Sequence, residues 1–184
     1  MRRLLPLTAA LAAALLLSAC GKVTEKASEK MVEKAIEGQA KDGTKASVDL
    51  SGGTAKVTTT DASGKSSTME WGGAQISEAD LGVPFYGGAK PREGGASRVA
   101  TPQATTMTVS LQSSDAPDKV TAFYREKLKA QSQGKQFMDM SMGEGQTTLM
   151  LADQQAQSSL QVHVAKAGAS GSEINIVVTR STQK

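Results

Sequence analysis

The pattern of apolar and polar positions changes character three times along the chain. Leu4 to Leu17 is a run made almost wholly of Leu and Ala, set behind Arg2 and Arg3. Residues 22–38 then switch to helical spacing, with Val23, Ala27, Met31, Val32, Ala35 and Ile36 forming a narrow apolar stripe. Glu25, Glu29, Glu33 and Glu37 make one ladder at spacing four, and Lys22, Lys26, Lys30 and Lys34 make a second, one step round. On a helix each Lys can meet the Glu three residues later. Gly38 is an end signal. The stripe is rich in Ala and shallow, so the expectation is a charged helix that packs weakly on the domain behind it; a stalk or partner-binding helix is the alternative.

From Thr44 the period becomes two. Val48 and Leu50, then Lys56 to Thr60, then Thr68 to Trp71 are three short β-rich runs, separated by Ser51-Gly52-Gly53 and Asp61-Ala62-Ser63-Gly64. This is the signature of a small meander over 44–71, with too few large side chains to fold alone. Residues 72–102 lack steady periodicity and are read as a linker or loop. In their middle lies Leu81-Gly82-Val83-Pro84-Phe85-Tyr86-Gly87-Gly88-Ala89. An apolar loop in an aromatic-poor chain must cover something, so its side chains are expected to cap a core edge. The alternative is a ligand-contacting lip at Phe85 and Tyr86.

Residues 103–184 are patterned most clearly. Met107, Val109 and Leu111 alternate onto one face, and Ser114-Asp115-Ala116-Pro117-Asp118 supplies the start of a helix carrying Val120, Phe123, Tyr124 and Leu128. Four strand-like runs succeed it, at 136–142, 147–152, 160–166 and 173–180. The predicted class is α+β: a small, mostly antiparallel sheet with one packed helix, preceded by the charged helix and the meander. The predicted organisation is a signal segment over 1–19, an anchor and charged helix over 20–43, the meander, the linker, and an α+β module over 103–184.

Composition narrows the function. Lys plus Arg number 21 against 18 acids, so removing residues 1–19, with Arg2 and Arg3, leaves 21 − 2 = 19 against 18. A net charge near +1 has no concentrated basic face, and nucleic acid is not an expected partner. One cysteine rules out an internal disulfide, and one histidine leaves little room for a zinc site or a Ser-His-Asp triad. Gly64-Lys65-Ser66 ends like a phosphate loop, but Thr stands at 59 where that motif needs Gly.

The apolar run is too short for a permanent span, which takes about 20 residues. It closes on Leu17-Ser18-Ala19-Cys20. This string resembles the lipobox of bacterial lipoproteins, complete and at the expected depth. The resemblance implies cleavage between Ala19 and Cys20 and a covalent lipid on the Cys20 sulfur, with the membrane as partner and no other cofactor. Gly21, in place of Asp, implies the periplasmic face of the outer membrane. A plain secretory signal with an incidental cysteine is the competing reading. A second resemblance covers roughly residues 76–181. Val83-Pro84-Phe85-Tyr86-Gly87-Gly88-Ala89, then Ala116-Pro117-Asp118-Lys119-Val120 and Phe123-Tyr124, is similar to a group of uncharacterised exported bacterial proteins. Here Gly87 replaces a common Pro and Ala116 a common Ser. The likeness implies a fold and transfers no catalytic residue.

The most suggestive chemistry is Met138-Asp139-Met140-Ser141-Met142. On a strand the three thioethers share one face, and soft thioethers favour Cu(I). Set against this, Met fills irregular cores. His163 alternates out of phase with Val162 and Val164 and is expected on the other side. Asp115 and Asp118 suit the start of a helix better than acid–base work. No nucleophile elbow, HExxH or CxxC occurs. The expectation is a non-enzymatic, membrane-anchored envelope protein that binds or scaffolds an envelope partner. The alternative is a periplasmic copper or small-ligand binder using Met138, Met140 and Met142.

Overall fold

A computed structural model of the chain describes residues 25–40, 43–143 and 145–182. Its elements are α1 (Glu25–Gln39), β1 (Lys45–Asp49), β2 (Ala55–Thr60), β3 (Ser66–Gly72), α2 (Glu78–Leu81), β4 (Lys90–Ala100), β5 (Ala104–Ser113), α3 (Pro117–Ala130), β6 (Gln136–Ser141), β7 (Thr147–Asp153), β8 (Ser158–Ala167) and β9 (Gly171–Ser181). All nine strands form one sheet in the order β1-β2-β3-β4-β5-β9-β8-β7-β6. Every neighbouring pair is antiparallel.

This overturns the expected fold class. The protein is one large antiparallel sheet with three short helices, not a small α+β sheet with a separate meander before it. The error has a local cause. The segment read as a linker contains β4, which joins the meander to the rest through Met69↔Val99 on one side and Arg98↔Met107 on the other. Its first half, Lys-Pro-Arg-Glu-Gly-Gly, carries no apolar alternation. Pairing with β5 is interrupted between Pro91 and Ala96, where Gly94 has φ +68°, a left-handed conformation that glycine takes without strain.

The C-terminal strands carry the main core. β5 turns Met107, Val109 and Leu111 to one face, and β9, β8 and β7 add Ile174, Ile176, Val178, Leu160, Val162, Val164, Leu149 and Leu151. Across this face lies α3, with Val120, Tyr124 and Leu128 fully buried. Pro117 sits in its first turn, Asp118 near its N-terminus and Lys127 and Lys129 in its last turn, as the helix dipole favours. The N-cap, Ala116, makes no side-chain cap bond. Leu81 at the end of α2 and Val83 and Tyr86 in the loop after it close the core, and a Ser77–Asp80 capping box holds the start of α2.

In β1 to β4 the polarity of the sheet reverses. The row continuing the core face from Met107 reads Arg98, Glu70, Lys56, Asp49, charges of alternating sign set directly opposite one another. Such pairs stabilise and fix register. The apolar row Val99, Met69, Val57, Val48 lies instead on the other face, continuous with Thr106 and Thr179.

The β1 edge is covered by α1, in a way the stripe did not foretell. The carboxylates of Glu37, Glu33 and Glu29 accept the backbone N–H groups of Ala46, Val48 and Leu50 at 3.1, 2.9 and 3.0 Å. Four residues of helix rise about 6.0 Å and two residues of strand about 6.8 Å, so the two ladders run nearly in step. Val32 and Ile36 are half-buried beside them, whereas Met31 is 64% exposed. Lys26, Lys30 and Lys34 form no ion pair among the described residues, because the glutamates are turned to the strand.

Candidate functional site

The sheet has one face under α3; at the β1 end of the other, where α1 packs against β1, Val48 is buried. Strand alternation and register place on this second face a row of Met138, Met150, Gln161, Val177, Thr108, Ser97, Trp71 and Ala55. The next row runs Met140, Thr148, His163, Asn175, Ser110. The face is apolar at both ends and polar in the middle. Trp71 is 38% exposed at one end and Met140 46% exposed at the other.

The polar centre is knitted by side-chain hydrogen bonds. Thr148 Oγ1 and His163 Nδ1 lie 3.0 Å apart, the Ser110 hydroxyl donates to Asn175 Oδ1, and Thr106 and Thr179 pair their hydroxyls at 3.1 Å. With Nδ1 engaged, Nε2 is the imidazole atom left for a ligand. Thr148 is only 4% exposed, so its hydroxyl orients the ring and is closed to a substrate.

The methionines sit on the face opposite the core, which removes the reading of them as core filler. Asp139, between Met138 and Met140, points the other way and takes Arg125 of α3 in an ion pair. That pairing holds the Asp139 carboxyl below its ordinary range. Met138 is half-buried, Met140 exposed, and Met142 is 60% exposed beyond the strand end. One neighbour escaped the sequence reading. Met150 stands opposite Met138 across β6–β7, and its alternation with Leu149 and Leu151 was the available signal. His163 lies on the side opposite Val162 and Val164, as its alternation predicts, and its pairing with Thr148 puts it on the face of the methionines.

The aromatic loop lies on the opposite side. Tyr86 is buried in the core, its N–H donating to Tyr124 Oη at 3.0 Å and its hydroxyl to Asp115 Oδ2 at 2.6 Å. Phe85 is half-buried, its N–H donating to Glu78. Asp115 also receives Lys119 at 2.9 Å, so the Tyr86 hydroxyl and the Lys119 ammonium together hold its carboxyl below the ordinary carboxylate value. Burial pushes the Tyr124 phenol up to about 12. A shallow groove of about 650 Å³ beside the start of α3 is lined by Ala116, Pro117, Asp118, Gly145 and Lys166.

Ala19 and Cys20, the cleavage and lipidation positions, fall outside the described residues. Among the described residues no helix is long and apolar enough to cross a membrane. Nor do three His, Cys, Asp or Glu side chains gather there as metal ligands. No family model matches the chain, and neither a curated protein nor a solved structure matches it. The functional reading therefore rests on the residues and their geometry.

Proposed function

We propose that this is a lipid-anchored envelope protein that works by binding a partner, not by catalysis, with the uncovered sheet face as its contact surface. One observation carries the reading: Trp71, 38% exposed, stands with half-buried Val57, Met69 and Val99 on the sheet face opposite α3. Burying large apolar side chains there supplies the free energy of association at about 25 cal/mol per Å². The lipobox ending at Cys20 supports the anchor, and Gly21 the outer membrane. Acyl chains contribute about 0.8 kcal/mol per buried CH₂, so a multiply acylated chain is held for good. The sequence offers one histidine and no nucleophile elbow, HExxH or CxxC, which favours binding over catalysis.

Two measurements test this. Intact mass of the membrane-extracted protein should match residues 20–184 plus acyl chains, and Cys20→Ala should abolish that species and release the protein from membranes. Trp71→Asp and Val99→Asp should each lose the copurifying envelope protein while unfolding cooperatively like the parent. An unacylated or uncleaved chain overturns the anchor. Unchanged copurification in both variants overturns the contact surface.

A further inference from the structure

We propose that the β6–β7–β8 end of the uncovered face is a soft-metal site for Cu(I), built from the thioethers of Met138, Met140 and Met150 and the imidazole of His163. The case begins with register. Met150 is directly opposite Met138, while Met140 and His163 lie on either side of Thr148, two residues from Met150 on the same strand face. Directly opposed side chains have Cβ atoms about 5 Å apart, and diagonal ones stand at roughly 7–8 Å, within reach of long side chains. Met150 is thus the one residue adjacent to all three others, and a monovalent ion above it would lie among four soft or borderline donors.

The chemistry suits copper in its reduced state. Thioether sulfur selects Cu(I), and imidazole is a common copper ligand. A histidine ligand is ordinarily oriented by a hydrogen bond at its other nitrogen, and Thr148 Oγ1 at 3.0 Å from His163 Nδ1 supplies that bond. The carboxylate nearest in sequence, Asp139, is turned through the sheet to Arg125, which leaves the face without a hard anionic donor from that strand. Met142 is displaced from the group: it lies past the end of β6, with its N–H donating to the Gln146 carbonyl at 2.9 Å. The site therefore departs from a simple triad of Met138, Met140 and Met142 by exchanging Met142 for Met150 and adding His163.

This gives the binding reading a ligand, but it rests on side chains at the opposite end of the sheet from the Val57–Trp71 patch. Its test uses neither membrane nor partner, so the two readings can fail separately. The unlipidated chain from residue 21 onward is titrated anaerobically with Cu(I) in competition with bicinchoninate. Diamagnetic Ag(I) then serves as probe in methyl NMR. One equivalent should bind, moving the methyl resonances of Met138, Met140 and Met150 and the His163 ring, with Met31, Met69 and Met142 unmoved. Met150→Leu conserves volume and should weaken Cu(I) binding by more than the roughly 10–100-fold that loss of a supporting group costs. Met142→Leu should bind as the parent does. Met138→Leu with Met140→Leu, on the edge strand, should reproduce the loss if Met150→Leu fails to fold. Retained affinity in the folded variants, or Ag(I) shifts as large at Met142 and Met31 as at Met150, overturns the site.

Discussion

The contact between α1 and β1 makes a prediction whose size can be worked from the geometry. Glu29, Glu33 and Glu37 each accept one N–H of the edge strand, at 3.0, 2.9 and 3.1 Å. Hydrogen bonds to charged acceptors contribute about 1.5–3 kcal/mol, but these are only part-buried, so about 1 kcal/mol apiece is the appropriate figure. Replacing all three by Ala should therefore destabilise the docked helix by about 3 kcal/mol, which is about 100-fold in the local opening equilibrium. Native-state hydrogen exchange reads this directly. The amides of Ala46, Val48 and Leu50 should exchange about 100-fold faster, while those of Ser47 and Asp49, which by ladder alternation face β2, keep their rates. Gln at the three positions keeps a carbonyl acceptor without the charge, and its effect should be intermediate. A freed edge strand is a template for pairing with another chain, so the Ala variant should also self-associate at high concentration. Unchanged exchange at 46, 48 and 50 would refute the reasoning. So would acceleration spread equally over 45–50, because that reports loss of the strand itself.

Three further outcomes concern the core and its polar fringe. Leu128→Ala removes a side chain with no exposed surface and should cost about 2–5 kcal/mol in chemical unfolding. The depressed Asp115 carboxyl stabilises the fold at pH above its unfolded value near 4, and this contribution disappears as pH falls through the lower folded value. Tyr86→Phe removes the largest cause of that depression, so denaturant midpoints tracked down the acid limb should fall less steeply in the variant. The Tyr124 phenol, raised to about 12 by burial, contributes stability that is complete below pH 10 and lost as pH rises toward that value. Ultraviolet difference titration should show a phenol ionising near 12 that Tyr124→Phe removes, while the Tyr86 phenol, also raised by its bond to Asp115, remains.

The sequence was most legible where a strand or helix buries one face. β5, β7, β8 and β9 alternate cleanly because α3 covers their Val, Ile and Leu positions, and the strand-like runs match the observed strands closely. α1 was legible as a helix, but its orientation was not: the alternating Glu and Lys ladders suggest surface ion pairs, and only an adjacent strand edge with unpaired N–H groups turns the glutamates inward. β4 was illegible. Its Lys-Pro-Arg-Glu-Gly-Gly half is exposed and broken by a bulge, and the strand is held by backbone pairing to β3 and β5, for which side-chain pattern carries little signal. The Met138–Met142 strand was found but assigned a core alternative, since a one-residue change of phase decides which face a strand buries. Asp139 resolves the phase through Arg125, a partner on a helix the pattern could not place.

The reversal of polarity between the two halves of the sheet decides where a partner can bind. Had Val48, Val57, Met69 and Val99 continued the row of Met107, Val178 and Leu160, a longer α3 or a second helix would have been needed to cover them. Instead the charged row from Asp49 to Arg98 occupies the α3 side, where Asp80 of α2 meets Arg98 at 3.8 Å. The apolar row is thereby forced onto the open side, which also carries the methionines. Trp71 on β3 and Met150 on β7 stand in one row of that side, separated by five strand intervals of about 4.8 Å, or about 24 Å.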